Sequence, residues 1–337
     1  MIIGLIIILL LVLFLPFTNF VGRNLEAFLF IMGIISVIVS QTFSQELLIE
    51  ALTSPIYITI AVLVAGLLFR WFQRPIEVGV LKISHAMPFR LFIALFVIIL
   101  GLISSVITAI IAAIILVSVL AVLRLDKQSE IRIVILACYA IGLGAALTPL
   151  GEPLSTIVTT KLNEEFFYLL KLAGIYIVPG VIAFGILSAL MIKPREKSIE
   201  GGQDTEVESY REIIVRSFKI YLFVMALTFL GAGFQPFIER FLLDLHPLVL
   251  YWINIISAIL DNATLAAAEI SPQMTEPTII AILLGLCVSG GMLIPGNIPN
   301  IIAAGKLKIT SLQYARFAVP VGLVGMLVYF IIIMFTL

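Results

Sequence analysis

Gly144-Ala145-Ala146-Leu147-Thr148-Pro149-Leu150-Gly151-Glu152-Pro153 interrupts an otherwise apolar run over residues 133–160. Pro149 and Pro153 each remove a backbone donor, and each ring collides with the turn before it, so a regular helix cannot pass through this stretch. The carbonyls and amides freed at such a break tolerate membrane depth only when buried in protein or lining a cavity. The stretch therefore predicts a helix broken within the bilayer, with a carboxyl group, Glu152, at the break.

The same punctuation recurs. Gly144, Pro149 and Pro153 have the spacing of Gly290, Pro295 and Pro299 in a second apolar run, 277–305, interrupted at Ile294-Pro295-Gly296-Asn297-Ile298-Pro299-Asn300. Each run follows another irregular region. Residues 91–123 carry no charge and are too long for one span, yet two spans with a turn need roughly 40 residues. Ser104, Ser105 and Thr108 lie at their middle. This reads as a re-entrant hairpin that enters and leaves on one face. Residues 247–275 hold Ser257-Ala258-Ile259-Leu260-Asp261-Asn262-Ala263-Thr264, and Ser104…Thr108 has the spacing of Ser257…Asp261. Each half then runs span, hairpin, broken helix, span. Interruptions at corresponding positions of two halves point to a transporter binding site.

Composition sets the solvent. Of 337 residues, 62% are hydrophobic and 12% charged, with a formal net charge of +0. That much apolar surface requires lipid. No basic field exists for nucleic acid. Cys138 and Cys287 stand alone in apolar runs and read as small core residues. Ordinary spans are expected at 1–22, 27–45, 51–69, 172–192, 220–238 and 317–337. The first has no basic residue before it and no small-residue cleavage pattern, so it reads as a retained span.

Charge orients the halves. Arg70, Arg74, Lys82 and Arg90 precede the first hairpin, and Arg124, Lys127 and Arg132 follow it, outnumbering Glu77, Asp126 and Glu130. Both its ends should be cytoplasmic. Glu239, Arg240 and Asp244 precede the second hairpin, and Glu269 and Glu276 follow it, with no Lys or Arg until Lys306. Both of those ends should be external. The reading is an all-α polytopic protein of the inner (plasma) membrane with two inverted repeats and about eight spans plus two opposed hairpins. Its parts are N-terminal spans at 1–90, a first repeat core at 91–192, a cytoplasmic linker at 193–216 and the second repeat at 217–337. Lys161, Lys306 and Lys308 read as snorkelling helix-end cations, and His85 and His246 as interfacial residues.

Glu152 and Asp261 are the two acids that fall at the interruptions. A charge at the bilayer centre costs roughly 3 kcal/mol on insertion scales and usually marks function. The structural alternative is a carboxylate capping freed backbone amides. Hard cations take oxygen ligands from carboxylates, hydroxyls, amides and carbonyls. One candidate site combines Ser104, Ser105 and Thr108 with Thr148 and Glu152. The other combines Ser257, Asp261, Asn262 and Thr264 with Asn297 and Asn300. Burial disfavours the charged form of a carboxyl, so either acid would trade a proton for a cation.

At these residues the chain resembles the ion transporter superfamily, which includes sodium/proton antiporters, divalent anion/sodium symporters, citrate transporters and arsenite permeases. Residues 144–153 look like its Thr-Pro-x-Gly broken helix, 257–264 like its second hairpin tip, and 295–300 like its second broken helix. Asp261-Asn262, with Glu152 after the Thr-Pro-x-Gly stretch, is most similar to the sodium/proton antiporter branch. The resemblance also extends to a branch of predicted cation transporters. It implies scaffold and transport domains, elevator-type alternating access and a homodimer. The Ser-Asn-Thr tips of the carboxylate symporters are absent.

The expected function is exchange of a small cation, Na+ first, for protons. The alternative is a Na+-coupled anion or carboxylate symporter. No enzyme is expected: an intramembrane aspartyl protease needs two carboxylates sharing a proton, and its Gly-x-Gly-Asp and Tyr-Asp patterns are missing. No phosphate-binding Gly-x4-Gly-Lys-Ser/Thr loop is present either, and no cofactor is expected beyond the transported ion.

Overall fold

The computed structural model describes residues 1–18, 20–21, 24–123, 125–192, 209–241, 246–260, 262–270 and 274–336, and among these every regular element is a helix. The chain opens with α1 (Ile2–Phe14), which gives way to a 3-10 turn where Pro16 interrupts the ladder, and α2 (Leu25–Ser40) follows. Helix α3 (Gln45–Ala86) starts at Ser44, whose hydroxyl caps the Leu47 amide, and runs for 42 residues through Pro55 and Pro75. At 1.5 Å per residue it is about 63 Å long, twice the apolar thickness of a bilayer. The span expected at 51–69 thus continues as helix through the charged segment that follows it.

The rest of the chain gives one order of elements twice. First come α4 (Phe89–Ile107) and α5 (Ala109–Leu123), then α6 (Lys127–Ala145), α7 (Pro153–Leu162) and α8 (Tyr168–Met191). After α9 (Tyr210–Phe241) come α10 (Pro247–Ile253), a 3-10 segment over Asn254–Ala258, and α11 (Asn262–Glu269). Then follow α12 (Glu276–Ser289), α13 (Ile298–Leu307) and α14 (Ser311–Thr336). Both breaks lie where the paired prolines put them. Helix α9 begins inside the stretch read as linker: Ser209 and Glu212 form a reciprocal capping box, and Arg70 of α3 lies over the Tyr210 ring at 4.0 Å. Residues 193–208 lie outside the described residues.

Among the described residues, α4, α6, α8, α14 and residues Tyr210–Phe237 of α9 are long and apolar enough to cross a membrane. The sequence suggested about eight spans besides the hairpins; among the described residues α1 and α2 are shorter than the spans expected there, and α4, expected as one arm of a re-entrant hairpin, is itself long enough to cross. This is a helical protein of membrane character.

Helices that share an apolar solvent gain little from hydrophobic burial against each other, so they associate where small residues admit close packing. Helix α9 packs along α2 and α3 in this way. Gly33 of α2 meets the Ala226 carbonyl, and a methyl group on Gly233 of α9 would lie 2.2 Å from the Ser36 oxygen. The most buried layer is α6 with α12, flanked by α4, α8 and α14. Buried tyrosines hold α14: Tyr139 of α6 donates to the Ala318 carbonyl and Tyr251 of α10 to that of Met326, both at 2.7 Å. At one end Lys127 donates to the Leu307 carbonyl at 2.6 Å, a cation closing the C-terminus of α13.

Candidate functional site

The first hairpin turns at a single residue. Thr108 has φ 77 and ψ 148, a conformation that side chains rarely adopt, while its hydroxyl accepts from the Ile111 amide at 3.3 Å to cap α5. The tip is clamped to the first broken helix. Ala109 N–H donates to the Gly151 carbonyl at 2.8 Å, Thr148 Oγ1 to the Ser105 carbonyl at 2.5 Å, and Ser104 Oγ to the Ile141 carbonyl at 3.1 Å. Ser105 Oγ turns back to its own helix at Leu102. Three of the predicted ligand hydroxyls, those of Ser104, Ser105 and Thr148, therefore donate to backbone carbonyls, and two of those bonds cross from the tip to the broken helix.

The strain at Thr108 makes a prediction. Glycine adopts this conformation freely, whereas another residue there costs about 1–3 kcal/mol, and exchanging a threonine cap for glycine loses only a few tenths. Thr108→Gly should therefore raise the melting temperature of the purified protein in scanning fluorimetry. A lower one would mean that the hydroxyl cap outweighs the strain.

Glu152 stands at the start of α7 and is 5% exposed. Its Oε2 accepts from Asn297 Nδ2 at 3.4 Å. Asn297 is the residue from which α13 starts, 4% exposed. Sequence reasoning assigned these two residues to separate sites, but the two breaks meet. The polypeptide allows this through glycines: Gly291 packs against the Tyr139 ring, and Gly142 lies against the Asn297 amide.

A cavity of about 370 Å³ opens here, lined by Thr108, Ala109, Pro149, Glu152, Thr156 and Asn297 among others. Three helices, α5, α7 and α13, begin on its wall. Each N-terminus carries roughly half a positive charge. Glu152 is the acid among the lining residues, and its carboxyl group stands among these helix ends.

The other predicted ligands surround the second tip. Ser257 Oγ shares a hydrogen bond with Ser289 Oγ at 2.6 Å, and Asn300 Nδ2 donates to the Gly290 and Leu293 carbonyls at 2.8 and 2.9 Å. Asn300 Oδ1 and Asn262 Nδ2 are buried with no hydrogen-bond partner among the described residues. A methyl group on Gly296 would lie 2.4 Å from the Gly290 carbonyl and 2.9 Å from that of Ser257, so only glycine fits between tip and break. Asp261 lies outside the described residues, and so does the side chain of Thr264. Among the described residues, no group of three or more His, Cys, Asp or Glu side chains could hold a metal ion.

Sequence reasoning passed over Ser289 and the pair Asn254 and Glu269, which are buried. The charge pattern places Glu269 in an external segment, whereas it ends α11 and is buried. A signal was present: Asn262, Ala266 and Glu269 are spaced i, i+4, i+7, which puts the acid on the same helical face as the tip asparagine.

Compared with families of related sequences, residues 2–336 match one described as Protein of unknown function (DUF1646). The chain belongs to this family. No curated protein matches it. Because the match runs through both hairpins and both breaks, the Glu152–Asn297 meeting point is internal to the family's own span.

Proposed function

We propose that this DUF1646 protein is a secondary transporter of the cell membrane that exchanges a small cation, Na+ first, for protons at the Glu152 cavity. One observation carries the reading: a buried carboxylate, bonded to the asparagine at the opposite break, forms part of a cavity wall in a chain rich in apolar helices. The carboxylate binds the cation when ionised and carries a proton otherwise. Asn297 couples the break of one half to that of the other. The repeated order of elements supports alternating access between two inverted halves, with the hairpin tips moving past the scaffold helices.

The test is an ion screen in proteoliposomes carrying a pH-sensitive dye. External pulses of Na+, Li+, K+, Ca2+ or Mg2+ should alkalinise the lumen for at least one ion as protons leave in exchange. If no ion moves the internal pH beyond that of protein-free vesicles, the reading fails.

A second reading is a Na+-coupled anion symporter. It draws support from the three helix N-termini at the cavity, which suit a negative group whenever Glu152 is protonated. Uptake of labelled carboxylates, with and without a Na+ gradient, separates the two: exchange predicts none, and symport predicts Na+-dependent accumulation.

A further inference from the structure

The second hairpin encloses a polar pair that the exchange reading does not use. Asn254 opens the 3-10 segment of the descending arm and is 0% exposed, and Glu269 ends α11 on the returning arm and is 1% exposed. The Glu269 carboxyl faces the Asn254 amide. Yet both carboxyl oxygens and both amide atoms are buried without a hydrogen bond of good geometry among the described residues. The Asn254 backbone is held: its carbonyl accepts from Ser289 Oγ at 2.7 Å, and Gly285 of α12 packs close by, where a methyl group would lie 3.0 Å from the Tyr251 carbonyl oxygen.

Buried polar groups are normally satisfied, and four unsatisfied atoms in one place suit a missing occupant. With the Asn254 amide turned to present Oδ1, it would complete with Glu269 Oε1 and Oε2 an all-oxygen donor set with a single negative charge, which suits a hard monovalent cation. The neutral acid satisfies the same pair differently, by donating its O–H to Asn254 Oδ1.

We propose that Glu269 and Asn254 form a second small-cation site, distinct from the Glu152 cavity, that holds Na+ when Glu269 is ionised and a proton otherwise. The charged groups around it leave room for that ion. Lys161, at the end of α7, donates to the Ile270 carbonyl at 3.4 Å. Glu276 at the start of α12 and Arg240 at the end of α9 are exposed, and the 3-10 segment, like α10 before it, contributes no acid or base.

The test uses the unaltered protein and a lipid-soluble carbodiimide. A protonated carboxyl gives its proton to a carbodiimide nitrogen while its oxygen bonds the central carbon, and acyl transfer to nitrogen then leaves a stable N-acylurea. Mass spectrometry of the digest reads Glu269 and Glu152 separately. Glu269 should carry the adduct in choline chloride, and NaCl at about ten times the dissociation constant should lower that labelling about tenfold by mass action. Absence of the adduct at Glu269, or labelling indifferent to Na+, overturns the proposal. Asn254→Leu should keep the adduct and lose most of the Na+ protection; full protection in that variant removes Asn254 from the site and overturns the pair. The proposal does not depend on exchange at Glu152, because protection at Glu269 without protection at Glu152 leaves this site standing while the exchange reading falls.

Discussion

Glu152→Gln is expected to reduce cation-driven proton movement in proteoliposomes to the protein-free background while the protein still folds. The amide is nearly isosteric with the carboxyl, and Asn297 can meet it by presenting its oxygen instead of its nitrogen, so the junction of the two breaks survives. What disappears is the charge. A carboxylate and a cation about 4 Å apart attract by about 4 kcal/mol at an effective dielectric constant of 20, which is about three powers of ten in binding. Glutamine also cannot carry a proton, so both halves of the exchange are lost together. The competing view makes Glu152 only the acidic start of α7. Removing a charge from a helix N-terminus costs about 0.3–1 kcal/mol, which lowers the melting temperature slightly and leaves flux intact. Flux and melting read side by side separate the two views, and wild-type flux in the glutamine variant ends the exchange reading at this residue.

The breaks were legible because proline chemistry is local. Helices α6 and α12 stop short of Pro149 and Pro295, and Pro153 and Pro299 sit in the first turns of α7 and α13; a single proline, such as Pro55 in α3, is carried within a helix, and it is the paired prolines with glycine that mark the breaks. The meeting of Glu152 with Asn297 was not legible. It depends on how α6 and α12 pack, and Gly142 and Gly291 reveal that packing only when the facing backbone is known. The linker was misjudged at one end because Ser209–Glu212 makes a helix start from four polar-flanked residues, a signal weaker than the charge run beside it. Ser104, Ser105 and Thr148 looked like ligands in sequence for the reason that makes them anchors in the fold: a hydroxyl at a helix interruption finds a freed carbonyl first.

Those anchors also set the geometry of the cavity. The first tip and the first break form one clamped unit, the second tip and second break another, and the Glu152–Asn297 bond of 3.4 Å is one of the contacts between them. The two units also pack directly on each other, with Ala113 of α5 in one buried cluster with Ile302 of α13, and Gly291 against the Tyr139 ring. The demand for precise packing falls on the glycines inside each unit.

Gly144→Ala is therefore expected to be among the most damaging single changes in the chain. A methyl group on Gly144 would lie 1.8 Å from the Gly101 carbonyl oxygen and 2.6 Å from its carbon. Both are backbone atoms, so no side chain can swing aside, and α4 must move off α6 by more than an ångström. Ser104–Ile141, Thr148–Ser105 and Ala109–Gly151 are the bonds that hold the tip, and all three cross the same seam. Overpacking costs about 1–3 kcal/mol, and each buried hydrogen bond lost adds about 1 kcal/mol. At about 2–4 °C per kcal/mol for a chain of this size, the melting temperature should fall by about 10 °C or more, or the protein should fail to purify as a single species. Gly305→Ala is the control. It lies within α13 with nothing inside 4 Å of the added methyl group, and alanine is the better helix former by about 1 kcal/mol. It should melt at or slightly above the wild-type temperature. Equal melting of the two variants would show that α4 and α6 do not meet backbone to backbone at this seam, and the clamp that shapes the Glu152 cavity would have to be drawn differently.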